Sequence, residues 1–228
     1  MQFDEVLRRR RMVRHYTDEP VDPDDLDALV AAGLRAPSAG FAQGFRLLVL
    51  TEEGDRRRFW SCSDWEPPDE RRGQTAARMR EAPVLIVPLC SKAAYVGRYS
   101  EPDKTGSGYA EESWPVPYWY VDAAFATMLI LLEAVDLDLG AAFVGSTPGH
   151  TERLREAFGV PGDFEAIGVI LVGHRHPDVG PAYRRDRRRP REEMVFQGRW
   201  RVGDPGGRAS ERGSAGPAGA GPATRRAD

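Results

Sequence analysis

Two arginine-rich segments of the sequence carry the side chains best suited to binding an anion. Residues 8–16 read RRRRMVRHY, and residues 184–191 contain six arginines. The planar guanidinium group matches the oxygens of a phosphate or a carboxylate and keeps its charge at every accessible pH. These segments therefore predict a site for an anionic small molecule. The alternative is a solvated basic face, which the dipole at the end of a first helix also favours.

A third polar segment, APSAGFAQ at residues 36–43, is predicted to be a loop between a helix and a strand. Asp22 and Pro23 are typical of the start of a helix. This helix has to end before Pro37, because the residue that precedes a proline is disfavoured in the helical conformation. A continuous apolar strand follows at residues 47–50. Backbone amides at such a junction can face a ligand.

The other elements are predicted from apolar runs and turn residues. The most apolar helix spans residues 121–139, and Gly140 is placed to end it. A strand at residues 83–90 contains Pro88, which favours a sheet edge or a bulge. The further predicted elements are, in chain order, a short first helix around Val6, an extended segment at 141–145, a helix capped by Thr151, a strand at 166–173 and an apolar extended stretch at 194–200.

Residues 92–120 lack periodicity but contain seven aromatic side chains. A loop of this length inside a domain is usually a lid, a binding loop or a partly disordered segment, and the aromatic content favours a binding loop. Its rings are predicted to form either the wall of a substrate site or part of a subunit interface. From residue 201 the chain is rich in Gly, Ala, Pro and charge, which predicts a disordered tail at 201–228.

Composition excludes several classes of protein. The 228 residues, 41% of them hydrophobic and 29% charged, can bury an ordinary core. A net charge of −3 gives no field that favours nucleic acid or an anionic membrane, and the arginine clusters lack a nucleic-acid reading motif. The longest apolar run, residues 123–132, is far shorter than the roughly 20 residues of a membrane span. Cys62 and Cys90 lack metal-ligand spacing, so we expect a cytoplasmic protein without a metal site.

Four segments together resemble the flavin-dependent nitroreductase family, in the family's order and over residues 3–200. They are RRMVRHY at residues 10–16 followed by Pro20 and Val21, APSAGFAQGF at residues 36–45, the helix from Asp122 to Gly140 followed by AAFVG, and RRRPREEMVFQGRW at residues 187–200. The first two are similar to the family's flavin-binding signatures, the third to its central helix and the segment against the flavin ring, and the fourth to its C-terminal signature.

The resemblance implies one FMN per subunit, held at the interface of a homodimer in which each monomer contributes to both sites. It implies an α+β fold with a central mixed, mostly antiparallel sheet flanked by helices, in one domain at residues 1–200. NADH or NADPH would reduce the flavin, and a small acceptor such as a nitroaromatic compound or a quinone would reoxidise it. The cofactor carries this chemistry, so no catalytic side chain is expected.

The resemblance also assigns roles to the arginines. Arg10 and Arg188 suit the FMN phosphate, and Arg11 and Arg187 are further candidates for it. Arg14 would stabilise the negative charge of the reduced ring and so raise its reduction potential. The full predicted cofactor-binding set is Arg10, Arg11, Met12, Arg14, Pro37, Ser38, Ala39, Gln43, Val144, Gly145, Arg187 and Arg188.

Roles also follow for the loop and for the segment after the central helix. Ser38 and Gln43 suit hydrogen bonds along the ribityl chain and the ring edge. Val144 and Gly145 would bring backbone close to the ring, with the glycine leaving room for an amide at the reactive nitrogen. The four histidines show no paired arrangement and are predicted to be structural or exposed.

Three positions depart from the family's usual pattern. Met12 stands where serine is common, Phe41 where asparagine is common, and Gly44 with Phe45 where proline and tryptophan are common. Because of Met12 and Phe41, a second possible function is that of a protein that binds flavin without turnover. A specialised biosynthetic dehydrogenase or reductase acting on an unknown metabolite is a second alternative. Another flavin or a deazaflavin could also replace FMN.

Overall fold

The computed structural model describes residues 1–63, 69–104, 114–147, 149–177 and 188–200. The chain divides into two units, Met1–Ala182 and Tyr183–Asp228. The helices and strands of the first unit are α1 (Phe3–Arg9), α2 (Pro23–Leu34), β1 (Phe45–Leu50), α3 (Glu53–Ser61), α4 (Glu70–Arg80), β2 (Val84–Ser91), α5 (Lys92–Tyr99), α6 (Tyr118–Asp136), β3 (Gly140–Gly145), α7 (His150–Phe158), β4 (Phe164–Ala166) and β5 (Gly168–Gly173).

The strands of the first unit form one sheet in the order β1-β2-β5-β3, with β4 also paired to β2. Phe45 lies opposite Cys90 at one side of the sheet, and Gly140 lies opposite Gly173 at the other. The α+β class is confirmed. All pairs between the described strands are antiparallel, so the parallel part of the expected mixed sheet is not found among them.

Helices cover both faces of the sheet, so the central strand β2 is buried on both sides. Leu85 and Val87 belong to a core cluster with Phe59 of α3. Ile86, on the opposite face, belongs to a cluster with Ile130 of α6. Every residue of β2 is therefore buried, which explains why its sequence is a continuous apolar run instead of an alternating one.

Pro88 lies in the interior of the sheet, because β2 has neighbours on both sides. The expected edge position is therefore wrong. Ile86 pairs with Ile170, whereas Leu89 pairs with Ala166. Three residues thus oppose two, which is a β-bulge on the segment facing Pro88. The bulge alternative is confirmed, and it explains how a residue without an N–H is accommodated inside the sheet.

Helix α2 begins and ends as predicted. The Asp22 carboxylate accepts a hydrogen bond from Asp24 N (2.8 Å), and Pro23 is the first helical residue. The core helix α6 starts three residues earlier than expected and ends at Asp136. It is long and apolar enough to pass a length and composition test for a membrane span. In this fold it packs against α2 and the sheet, so its apolar character serves the core.

Several expectations about the helices were wrong. Residues 92–120 contain α5 and the start of α6, and Tyr95 of α5 is 1% exposed against Trp114 and Trp119. Helix α7 has Gly149 as its N-cap instead of Thr151. Helices α3 and α4 were not predicted, because charged residues dominate both sequences and obscure the apolar period.

The described part of the second unit, residues 188–200, contains a 3-10 turn at Arg191–Glu193. The Phe196 and Trp200 rings contact each other, with centroids 3.9 Å apart. The tail at 201–228 lies outside the described residues. The division into a domain at 1–200 and a disordered tail stays a prediction.

Candidate functional site

Backbone hydrogen bonds fix the first arginine-rich segment beside the sheet. Val13 N donates to Ala141 O on β3 (2.9 Å), and Thr17 N donates to His174 O just beyond β5 (3.0 Å). Tyr16, between them, is 2% exposed and belongs to the core. The segment is therefore held where β3 begins and β5 ends.

The first two arginines of the run are surface residues. Arg8 pairs with Glu5 (3.4 Å between Nη2 and Oε1), and Arg9 forms an ion pair with Asp138. The Arg8 side chain is 70% exposed and that of Arg9 is 44% exposed, and both residues lie in the last turn of α1. The alternative of a solvated basic face describes these two residues.

Arg10 differs from its neighbours. Its Nη1 atom is buried and has no hydrogen-bond partner among the described residues. Arg11, by contrast, donates from Nη1 to Arg8 O (2.6 Å) and Arg10 O (2.8 Å). Arg14 Nη1 reaches Met12 O only at 3.5 Å, which is a weak contact. A buried donor on a charged group costs free energy without an acceptor, so Arg10 is the arginine that an anion would complete.

Met12 contributes packing at this site. Its half-buried side chain lies against the core cluster that contains Leu29 of α2 and Ile130 of α6. The family's serine hydroxyl at this position is thus replaced by an apolar contact. Any contact between Met12 and a cofactor would have to come from its backbone.

His15 and His176 stack face to face, with ring centroids 4.0 Å apart and planes 11° apart. His176 N donates to His15 O (3.1 Å). Next to this hydrogen bond, the backbones of Tyr16 and Arg175 pair as an isolated antiparallel β-bridge. The expectation that no histidines are paired is therefore wrong. Their separation in sequence hid the pair, because only the docking of this segment along the end of β5 brings the two rings together.

The loop at 36–43 is held by its own hydrogen bonds and by α6. Ser38 Oγ accepts from Gln43 N (3.0 Å), and Ala39 N donates to Asp122 Oδ2 (3.0 Å). Asp122 is 3% exposed. Burial raises the pKa of its carboxyl group to about 6, although the hydrogen bond from Ala39 opposes this effect. The Ala39 amide is thus occupied, whereas the Ser38 hydroxyl hydrogen can still be donated.

The tip of this loop turns through left-handed backbone. Gly40 and Phe41 have φ values of 59° and 58°. A Cβ atom at Gly40 would lie 2.8 Å from the Tyr99 hydroxyl, and the left-handed φ also favours glycine at this position. Arg98 Nε donates to Gly40 O (2.9 Å). The loop therefore presents the 72% exposed Phe41 side chain at its surface.

The two segments lie at opposite ends of α6. Ala39 contacts Asp122 in the second turn of the helix, whereas Arg9 contacts Asp138 just beyond its last residue. A helix rises 1.5 Å per residue, so about 20 Å of α6 separates these contacts. The contacts that fix the two segments are therefore far apart along the helix.

Val144 and Gly145 lie at the end of β3 that is remote from the Val13 contact. Four residues separate Gly145 from Ala141, which is about 13 Å along a strand. Gly145 is exposed, and a Cβ atom there would meet no atom within 4 Å. Val144 packs against the core. Of these two residues, Gly145 is the one whose backbone is open to a ligand.

A cavity of about 210 Å³ opens beside Gly145, between α3, α4, α7 and the end of β3. Its walls include Trp60, Met79, Arg80 and His150. None of these was predicted as a site residue. Trp60, Met79 and Arg80 belong to the two unpredicted helices. The only sequence signal was the aromatic pair at the end of the charged run in α3.

The structure does not test the predicted role of the C-terminal arginines. Arg187 lies outside the described residues. Arg188 is an exposed residue of the second unit. Their assignment to the phosphate stays a prediction. Among the described residues, no group of three or more His, Cys, Asp or Glu side chains could hold a metal ion.

The structure thus combines an antiparallel sheet between helices, a buried arginine nitrogen beside β3 that has no acceptor among the described residues, and an open glycine at the end of β3. The family described as "Nitroreductase family" matches residues 7–174. The chain therefore belongs to the nitroreductase family, and the resemblance seen in the sequence is confirmed.

Three proteins illustrate what the chain is similar to in sequence and structure. A protein of Archaeoglobus fulgidus, provisionally named NADH dehydrogenase/NAD(P)H nitroreductase, is 23% identical over 74% of this chain and 83% of its own. The 5,6-dimethylbenzimidazole synthase of Rhodospirillum rubrum is 26% identical over 77% of this chain and 84% of its own. A Desulfovibrio desulfuricans protein, provisionally named a nitroreductase and solved in complex with FMN, superposes with a TM-score of 0.61 at 22% identity, over 88% of this chain and 99% of its own.

Proposed function

We propose that this protein is an FMN-dependent oxidoreductase that moves hydride from NADH or NADPH to a small organic acceptor, such as a nitroaromatic compound or a quinone. The buried Nη1 of Arg10, which has no hydrogen-bond partner among the described residues, carries the proposal, because the phosphate of FMN would supply an acceptor. Family membership and the names of the relatives support the reaction class. Bound FMN supplies the acceptance and donation of hydride.

The chain's own residues hold and tune the cofactor in this proposal. Arg10 pairs with the phosphate, and Arg11 adds positive charge beside it. Arg14 places its charge near the ring, where it stabilises the reduced, anionic form. Gly145 lets backbone approach the ring because no side chain blocks it.

The separation of the two segments supports a homodimer. Since about 20 Å of α6 lies between them, Ser38 and Gln43 of one subunit would serve the arginine segment of its partner. Helix α6 also exposes a stripe suited to such an interface, with Phe125 47% exposed and Met128 45% exposed. Large apolar side chains in a row on a surface helix favour burial against another chain.

Visible spectroscopy of the purified protein incubated with FMN tests the function. We expect a yellow protein that NADH or NADPH bleaches and that a nitroaromatic compound or a quinone reoxidises. Arg10→Ala should weaken FMN binding roughly 10-fold or more, because a charge-assisted hydrogen bond contributes about 1.5–3 kcal/mol. Arg8→Ala, at a solvated position of the same run, is the matched control and should bind FMN normally. A protein that stays colourless with FMN refutes the proposal.

A biosynthetic reductase or dehydrogenase is the second candidate, and the similarity to 5,6-dimethylbenzimidazole synthase favours it. Its mark would be a flavin that is reduced by nicotinamide but is not reoxidised by simple nitroaromatic compounds or quinones. A flavin-binding protein without turnover would instead hold FMN that neither nicotinamide reduces. The same spectra therefore separate the three functions.

We also propose that the protein works in the cytoplasm. Cys62 and Cys90 are both buried free thiols. Such thiols persist in a reducing compartment. Fractionation of the producing cells, followed by immunodetection, tests the location.

A further inference from the structure

We infer that Arg98 is a positioning residue for the cofactor, because it holds the tip of the loop at 36–43 in a backbone conformation that Phe41 does not favour by itself. This inference rests on the proposed function, which assigns Ser38 and Gln43 of the same loop to FMN. Arg98 lies in the last turn of α5, and no sequence pattern pointed to it. Its role follows from the contacts that its guanidinium group makes with three residues.

The tip of the loop contains a residue in an unfavourable conformation. Phe41 has a φ of 58°, in the left-handed region, where residues other than glycine, asparagine and aspartate are uncommon. Its side chain is largely exposed, so packing of the ring offsets little of this cost. The left-handed phenylalanine therefore has to be held by contacts of the surrounding backbone.

Arg98 fixes the peptide unit that sets φ of Phe41. Its Nε atom donates to Gly40 O at 2.9 Å. This oxygen belongs to the planar peptide unit between Gly40 and Phe41, and rotation of the unit changes ψ of the first residue and φ of the second together. With the oxygen held, such a rotation breaks a charge-assisted hydrogen bond. The contact is thus placed where it opposes relaxation of Phe41.

Two carboxylates hold the guanidinium group of Arg98 in place. Nη1 and Nη2 donate to the two oxygens of Asp103, both at 2.7 Å, and Nη1 also donates to Glu101 at 2.8 Å. A bidentate pair within a network contributes more to stability than an isolated surface ion pair. The Arg98 side chain is only 20% exposed. It therefore meets the loop as a fixed group instead of a mobile one.

Tyr99, the next residue of α5, packs on the same tip. A Cβ atom at Gly40 would lie 2.8 Å from its hydroxyl oxygen, so the tyrosine lies directly against the Gly40 backbone. The Tyr99 ring in turn meets Trp114 edge to face, with centroids 5.2 Å apart. The start of the loop is held elsewhere, by Asp122 at Ala39 N. The tip therefore has its own anchor on α5, separate from the anchor on α6.

The residue type at position 41 gives a reason for this second anchor. Asparagine is common there in the family, and asparagine adopts the left-handed conformation more readily than phenylalanine does. For Phe41 this conformation costs about five- to thirtyfold in population. Because Arg98 offsets that cost, the effects of substituting Arg98 and Phe41 should be non-additive.

Hydrogen exchange of the full-length, FMN-free protein, followed by mass spectrometry, tests whether Arg98 holds the tip. The amides of Phe41, Ala42 and Gln43 donate to Ser38 O, Ala39 O and Ser38 Oγ, respectively. Arg98→Ala should accelerate exchange in peptides that cover residues 40–43 about five- to thirtyfold. Asp103→Asn should act in the same direction but less, because it removes only a support of the guanidinium group.

The decisive comparison repeats Arg98→Ala in a Phe41→Asn background. Asparagine favours the left-handed conformation by itself, so the acceleration should there be about threefold or less. Phe41→Asn should thus rescue the loss of Arg98. A purely structural role of Arg98 in α5 would instead give the same acceleration with either residue at position 41.

FMN affinity, measured by the change in flavin fluorescence on binding, tests the consequence for the cofactor. Arg98→Ala should weaken FMN binding about five- to thirtyfold, because only the fraction of molecules with an ordered loop binds. In the Phe41→Asn background the loss should again be about threefold or less. Arg57→Ala, which breaks an exposed ion pair with Glu53 on α3, is the control and should bind FMN normally. Thermal melting checks that each variant is folded.

The outcomes separate this inference from the proposed function. Equal effects of Arg98→Ala in the two backgrounds refute the inference, and the function stands if the wild type binds and turns over FMN. Faster exchange without loss of FMN affinity also overturns it, because Arg98 would then hold the loop without positioning the cofactor. If the wild type takes up no FMN, the function is wrong, and the exchange data still decide whether Arg98 holds Phe41.

Discussion

Replacing Asp122 by asparagine tests how the loop at 36–43 is anchored. The Asp122 carboxylate is buried, and its Oδ2 accepts from Ala39 N at 3.0 Å. Asparagine has nearly the same shape and keeps one carbonyl oxygen for that hydrogen bond. The substitution therefore removes the buried charge but leaves the acceptor in place.

The size and sign of the effect follow from the pKa of Asp122. Burial raises this pKa to about 6 from its ordinary value of 3.8. The difference corresponds to about 3 kcal/mol, at about 1.4 kcal/mol per pKa unit. The folded state binds the proton more tightly than the unfolded state. The free energy of unfolding of the wild type should therefore fall as the pH rises from about 4 to about 6.

Urea denaturation across this pH range measures the effect, with FMN and protein concentrations held fixed because ligand and subunit binding shift stability. Asp122→Asn should match the wild type near pH 4 and exceed its stability above pH 6, by at most about 3 kcal/mol. Asp27→Asn, at an exposed position of α2, controls for the loss of a surface charge. A difference between Asp122→Asn and wild type that stays constant with pH, or that changes in the opposite direction, refutes the reasoning.

Two further predictions concern the cofactor and the assembly. Arg14→Ala should lower the reduction potential of bound FMN by tens of millivolts, where 30 mV equals about 1.4 kcal/mol for two electrons, and should weaken binding less than Arg10→Ala does. A redox titration that finds the wild-type potential contradicts the role of Arg14. Phe125→Glu should shift the dimer to monomers in light scattering and reduce FMN uptake, because it places a charge in the proposed interface. Arg57→Glu on α3, on the opposite face of the sheet, is the control. If the Phe125→Glu variant remains dimeric in light scattering, the proposed interface is wrong.

Local sequence rules predicted the elements whose signals are short-range. Asp22 and Pro23 begin α2 as expected, because capping depends only on neighbouring residues. The apolar runs at β2 and β5 were recognised because both faces of these strands are buried, and β1 was recognised from its run at 47–50, which is half-buried except for the buried Leu50. Helices α3 and α4 were missed, since few of their residues face the core and the exposed residues are charged.

Pairings between distant residues could not be derived from spacing. The bulge opposite Pro88 depends on the register of β2 with β4 and β5, which the sequence of β2 does not contain. The stacking of His15 on His176 depends on how residues 13–17 dock beside the sheet. The cavity at Trp60 likewise exists only because α3, α4 and α7 converge on the end of β3.

The resemblance proposed two segments of the sequence as parts of one cofactor site, and the fold shows where each of them lies. In the sequence, the arginine run and the loop at 36–43 are near neighbours. In the fold, α6 holds them about 20 Å apart, with Asp122 fixing the loop at one end and Asp138 contacting Arg9 at the other. The proposed cofactor-binding segments of one chain therefore contact opposite ends of α6. If both bind FMN, two chains have to meet, and the exposed Phe125 and Met128 of α6 lie along the helix that joins the two segments. Cofactor binding and dimer formation should accordingly be lost together in variants of this helix.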